Sequence, residues 1–168
     1  VSLGQLAEKP SGVHAISFEK SLMHIGEFAD EFATLDADEQ KWLACALQNI
    51  THLLRIDNFQ RAFISFDQAH WCPTPEASIL LVWTSMEVLF DIGTEREKKK
   101  AISRAISDYL STDRSQRDRI YGEVSSLYEK RGSIVHASKT GDVPDIVRTF
   151  RVGKTVLQKT ILTGALPR

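Results

Sequence analysis

Apolar residues recur along this chain at three- and four-residue steps, the spacing that gathers them on one side of an α-helix. Phe18, Leu22, Ile25, Phe28 and Phe32 form one such stripe and predict a helix over about 15–33. Asp36 and Glu39 make a capping-box signature ahead of Trp42, Leu43, Ala46, Leu47, Ile50, Leu53 and Leu54, so a second helix follows to about residue 56. A shorter helical piece is expected over 58–69. It ends before the turn-like His70-Trp71-Cys72-Pro73, because proline disfavours helical backbone in the residue preceding it.

Thr74 as cap, Pro75 at the first helical position and Gly93 past the end bracket a run from Glu76 to Ile92. Its Ile79, Leu80, Leu81, Val82, Trp83, Met86, Val88, Leu89 and Phe90 surround the axis and predict a central, buried helix. Thr94 and Glu97 form another capping box before Ala101, Ile102, Ala105, Ile106, Tyr109 and Leu110, a helix stopping near Ser111. Ile120, Val124, Leu127 and Tyr128 define a helix reaching Arg131. Asp142 and Pro144 start a last one carrying Ile146, Phe150, Val156 and Ile161. With no alternating strand pattern, the expectation is an all-α bundle of six to seven helices. Residues 1–14 read as a linker or N-terminal extension, 15–164 as the helical domain and 165–168 as a tail.

Composition narrows the class. A chain of 168 residues, 26% charged and 42% hydrophobic, is long enough for one domain with a sizeable core, and neither disordered nor collagen-like. It lacks both the roughly 18-residue apolar run of a membrane-spanning helix and the pattern of a secretory signal, so a soluble, cytoplasmic protein is expected. Cys45 and Cys72 sit among apolar residues outside any C-x-x-C pair and read as buried, reduced thiols. Cys45, His52, His70 and Cys72 match no zinc spacing, so no metal or cofactor is expected. The sequence begins at Val1, which leads us to expect a further upstream domain.

The net charge of -1 conceals a segregation: residues 1–95 hold 5 basic and 14 acidic side chains, residues 96–168 hold 16 basic and 8 acidic. Such a basic half suits a polyanion or an acidic protein face.

The chemistry concentrates in Leu127-Tyr128-Glu129-Lys130-Arg131-Gly132-Ser133-Ile134-Val135-His136-Ala137-Ser138. An arginine and a histidine four intervening residues apart are weak evidence alone, since roughly 0.3 such pairs arise by chance at any fixed spacing in this composition. On an ideal helix the two lie about 140° apart, so a shared site requires a bend. Gly132 is a poor helix-interior residue and Ser133 a natural cap, which predicts a break there that swings His136 towards Arg131.

These residues resemble the R-x(4-6)-H motif of HEPN domains, found in prokaryotic toxins and phage-defence ribonucleases. The Apea-like branch is closer still: its Tyr-x-x-Arg-x-x-Ile-x-His pattern fits Tyr128, Arg131, Ile134 and His136. The stretch Trp83 to Phe90, with Glu87 embedded, resembles that branch's apolar helix, and the likeness spans about 16–136. One position departs: many catalytic members have a polar residue after the arginine, where this chain has Gly132, with Ser133 as the available substitute.

The resemblance implies a homodimer whose two motifs face each other and cleave RNA without metal, leaving a 2′,3′-cyclic phosphate and a 5′-hydroxyl, in abortive infection or as a toxin. Histidine is the side chain suited to proton transfer near neutrality, and arginine presents a permanent cation shaped for phosphate. Arg131 and His136 are therefore the catalytic candidates, with Tyr128, Lys130, Ser133 and Lys139 as candidates for substrate contact. Glu87, a lone carboxylate on an apolar helix, needs a cation and reads as a supporting partner of Arg131. Lys98, Lys99 and Lys100 suggest a phosphate-tracking face with Arg114, Arg117, Arg119, Arg148, Arg151 and Lys154. The rival reading is a non-catalytic HEPN-like module that binds RNA, nucleotide or protein, and the plainest is a helical oligomerisation domain without ligand.

Overall fold

Six helices and no strand make up the described residues, 36–93, 97–137 and 143–167, of the computed structural model. For Glu39, residues 133–137 and Val143 only the backbone is described. The stripe over 15–33, together with Thr94, Lys139 and Asp142, lies outside the described residues. The helices are α1 Ala37–Leu53, α2 Asp57–Ala69, α3 Pro75–Leu89, α4 Lys98–Leu110, α5 Arg114–Ala137 and α6 Val143–Thr163. The protein is an all-α bundle. Among the described residues no helix is long and apolar enough to cross a membrane.

The central helix is α3. Thr74 Oγ1 accepts the Ala77 N–H at 3.3 Å and Pro75 occupies the first helical position, as the sequence predicts. Ile79, Val82, Trp83, Met86 and Leu89 are each at most 2% exposed, with α2, α5 and α6 packed around them. Where α6 crosses, Gly153 lets the backbones meet: a β-carbon there would stand 2.7 Å from Phe66 Cε2 and 3.1 Å from Val82 Cγ1. In a second layer α4 packs along α5, which places the start of α4 beside the C-terminal part of α5.

Helix ends account for most departures from expectation. The stop of α3 falls at Leu89, not Ile92, and Asp91, not Gly93, takes the left-handed conformation at φ 52°. Asp91 N–H donates to Val88 O at 3.2 Å and Ile92 N–H to Glu87 O at 2.8 Å, the paired bonds of a Schellman closure. Aspartate tolerates that backbone better than most residues, so the chain turns two residues before the glycine. Glu97 precedes α4 as its cap residue, without a side-chain cap bond, and is not a position inside it. The start of α5 lies earlier than its apolar stripe suggests, because Asp113 Oδ1 accepts the Gln116 N–H at 2.8 Å, while Ser111 Oγ accepts the Asp113 N–H at 3.1 Å and donates to Gln116 Oε1 at 2.9 Å.

On α1 the inward edge runs through Ala46 and Leu53, both buried, while Trp42, Leu43 and Leu47 are 43%, 39% and 55% exposed. Cys45 shares that outward side. It is exposed and Cys72 half-buried, so the expectation of two buried thiols is corrected; both are free.

Candidate functional site

The motif lies on α5, which continues through Gly132 and Ser133 to Ala137 without a break. The predicted kink is absent. One interior glycine costs a helix only about 1 kcal/mol relative to alanine, and among the described residues no atom outside its own helix backbone lies within 4 Å of where its β-carbon would stand, so none of them pushes the chain off its axis. Ser133 is a helix-interior position, not a cap. Five residues along an unbroken helix leave the backbone positions of Arg131 and His136 about 140° apart around the axis. The side chains of Ser133 and His136 are outside the described ones.

Arg131 does not face solvent freely. Its Nη1 donates to the Tyr128 hydroxyl at 3.1 Å, one turn earlier on α5, and its Nη2 lies 3.6 Å from Glu87 Oε1 on α3. Tyr128 in turn donates to Glu87 Oε1 at 2.9 Å. The guanidinium carbon stands 5.0 Å from the centroid of the Tyr128 ring, and the Trp83 ring meets that ring edge-on at 4.9 Å. Glu87 is thereby satisfied on a helix whose buried side chains are, apart from Ser78 and Ser85, apolar, the pairing its isolation in the sequence demands. A second cation joins it: Lys98 Nζ lies 3.7 Å from Glu87 Oε2. Sequence reasoning missed Lys98 here, having read it as part of a phosphate-tracking face. The signal was the lone carboxylate itself, which has two oxygens to satisfy.

The local electrostatics follow. Burial, then the hydrogen bond and charge of Glu87, hold the Tyr128 hydroxyl above the ordinary tyrosine range, while Arg131 opposes the shift. Tyr128 is therefore a proton donor at neutral pH. With one carboxylate against two cations, the group formed by Glu87, Lys98 and Arg131 keeps an excess of positive charge. Arg131 is 25% exposed, and its buried Nε has no hydrogen-bond partner among the described residues.

Lys130 is held elsewhere: its Nζ binds Asp145 Oδ2 at 2.6 Å, tying α5 to the first turn of α6, with Arg148 at 4.0 Å from the same carboxylate. The basic half is also less bare than its sequence suggests. Lys99 pairs with Glu129 at 3.5 Å, Lys100 with Glu97 at 2.9 Å and Arg117 with Asp108 at 3.3 Å. Exposed pairs of this kind are worth at most about 1 kcal/mol, so a phosphate can displace them at small cost. Among the described residues no group of three or more His, Cys, Asp or Glu side chains is placed to hold a metal ion. His70 instead stacks edge-on against Phe66 and Phe150, with Nδ1 3.0 Å from Phe66 O.

No family model matches the chain, and no curated protein or solved structure matches it either.

Proposed function

We propose that this chain is a HEPN-type domain of the Apea-like branch, acting in the cytoplasm as a metal-independent endoribonuclease of a prokaryotic anti-phage or toxin system. The observation that carries the reading is the contact between two motif positions, the Tyr128 hydroxyl and Arg131 Nη1 at 3.1 Å, both anchored on Glu87. The Tyr-x-x-Arg half of the pattern is thus a physical unit that fixes one edge of a guanidinium beside a surplus of positive charge. Positive charge fixed before reaction is what a phosphorane transition state requires.

In this proposal the functional unit is a homodimer. His136 takes the proton from the 2′-hydroxyl, which attacks the adjacent phosphorus. Arg131 stabilises the charge that develops on the phosphoryl oxygens. The partner subunit's His136 protonates the departing 5′-oxygen, so two histidines share the work that one cannot do at once. The products are a 2′,3′-cyclic phosphate and a 5′-hydroxyl.

Purified protein incubated with total RNA and tRNA in excess chelator tests this directly. Cleavage that persists in chelator and falls at least about 100-fold in both Arg131→Ala and His136→Ala is the expected result. Equal cleavage by His136→Ala would overturn the catalytic assignment.

A second reading, a non-catalytic module that binds RNA, nucleotide or protein, draws on a specific observation. The unbroken α5 separates positions 131 and 136 by about 140°, so one chain alone does not converge them. Binding without cleavage in the same assay identifies it.

A further inference from the structure

A concavity opens between α4 and the N-terminal half of α5, away from the Glu87, Tyr128 and Arg131 group. It has a volume of about 910 Å³, and the short side chains of Ala101 and Ser107 form part of its α4 wall. That volume lies within the range of small-ligand sites.

Its charges are informative once the internal pairs are set aside. Lys100 with Glu97 and Arg117 with Asp108 neutralise each other across or along the walls. What remains is Arg104 on α4 with Arg114 and Asp118 on α5, none of which forms an ion pair among the described residues, and the half-buried ring of Tyr121. Two planar guanidinium groups suit phosphate oxygens through paired N–H bonds. An unpaired carboxylate accepts from vicinal hydroxyls, as carboxylates do at the ribose of bound nucleotides. A tyrosine ring at the same wall offers a face on which a base stacks. Arg114 is also the first residue of α5, so the positive end of that helix adds to the field.

We propose that the α4–α5 groove binds a ribonucleoside phosphate, with Arg104 and Arg114 on the phosphates, Asp118 on the ribose hydroxyls and Tyr121 against the base. The ligand is a free nucleotide or one nucleotide of an RNA strand; the chemistry of recognition is the same. The inference does not require that Arg131 and His136 cleave anything.

The test is calorimetric titration of the full chain with ADP, with adenosine and with a six-residue oligouridylate. ADP or the oligomer should bind saturably, and adenosine, lacking phosphate, at least about tenfold more weakly than ADP if ADP is the ligand. The double variant Arg104→Ala/Arg114→Ala should weaken binding at least about tenfold, and Tyr121→Ala should weaken it less. Both arginines are exposed, so these variants should keep the circular-dichroism spectrum of the parent. Tighter binding of the oligomer identifies a strand site, and tighter binding of ADP a free-nucleotide site. No saturable binding of either probe, or binding unchanged in the double variant, overturns the proposal. Binding unchanged in Arg131→Ala shows that the groove acts separately from the motif.

Discussion

Tyr128 holds three neighbours in one register: an acid above it, a base one turn along its own helix and an indole against its ring. Its hydroxyl proton is retained by burial and by Glu87, so the folded state binds it more tightly than the unfolded chain does. The stabilising contribution is therefore complete below the ordinary tyrosine pKa of about 10 and is lost as pH rises through the raised value. An alkaline titration followed by phenolate absorbance should show a late component that Tyr128→Phe removes. Glu87→Ala removes the carboxylate from the Arg131 guanidinium, whose Nε already lacks a partner among the described residues, and should cost about 3 kcal/mol in urea unfolding, whereas Glu87→Gln, which keeps an acceptor, should cost about 1 kcal/mol. Equal losses in the two variants would show that the charge is immaterial.

Two helix-interior glycines make opposite predictions at the scale of the element. Gly132 has open space where a β-carbon would go, so Gly132→Ala should stabilise α5 by about 1 kcal/mol. Gly153 has the Phe66 ring at 2.7 Å, so Gly153→Ala must push α6 off α2 and α3, at a cost of about 1–3 kcal/mol despite its better helix propensity. Thermal unfolding separates them by sign. The sequence does not say what a side chain at either position would meet, because the difference lies in what another helix brings near. The same limit explains the rest of what was hidden. Helix existence was legible from three- and four-residue apolar spacing, as was the Thr74-Pro75 start of α3, because those signals are local. The end of α3 was not, since Asp91 competes with Gly93 for one backbone conformation. Asp91→Gly should stabilise that end by up to about 1 kcal/mol in the same assay. Of the site, the Arg131 and Glu87 pairing was legible because a lone carboxylate on an apolar helix must find a cation. Lys98 was not, because nothing in a run of three lysines says which one turns inward.

Across the whole molecule, the split between an acidic front and a basic back has a structural meaning. Lys99, Lys100, Arg117, Lys130 and Arg148 find their acids within the basic half, and Arg61 pairs with Asp57 within the acidic one. Among the described residues only Glu87 reaches across, to Lys98 and Arg131. The two halves are otherwise joined through apolar contacts and through Asn49 Nδ2, which donates to Ile161 O at 2.8 Å, and salt does not screen the apolar contacts. Glu87 also serves the backbone, because its carbonyl accepts the Ile92 N–H at 2.8 Å while its carboxylate holds Arg131 and Tyr128. Movement of that residue towards α5 or away from it therefore disturbs the closure of its own helix. The amide of Ile92 thus becomes a reporter: its hydrogen-exchange rate should rise when Arg131 is removed and should slow when an anion settles against the guanidinium and immobilises the group.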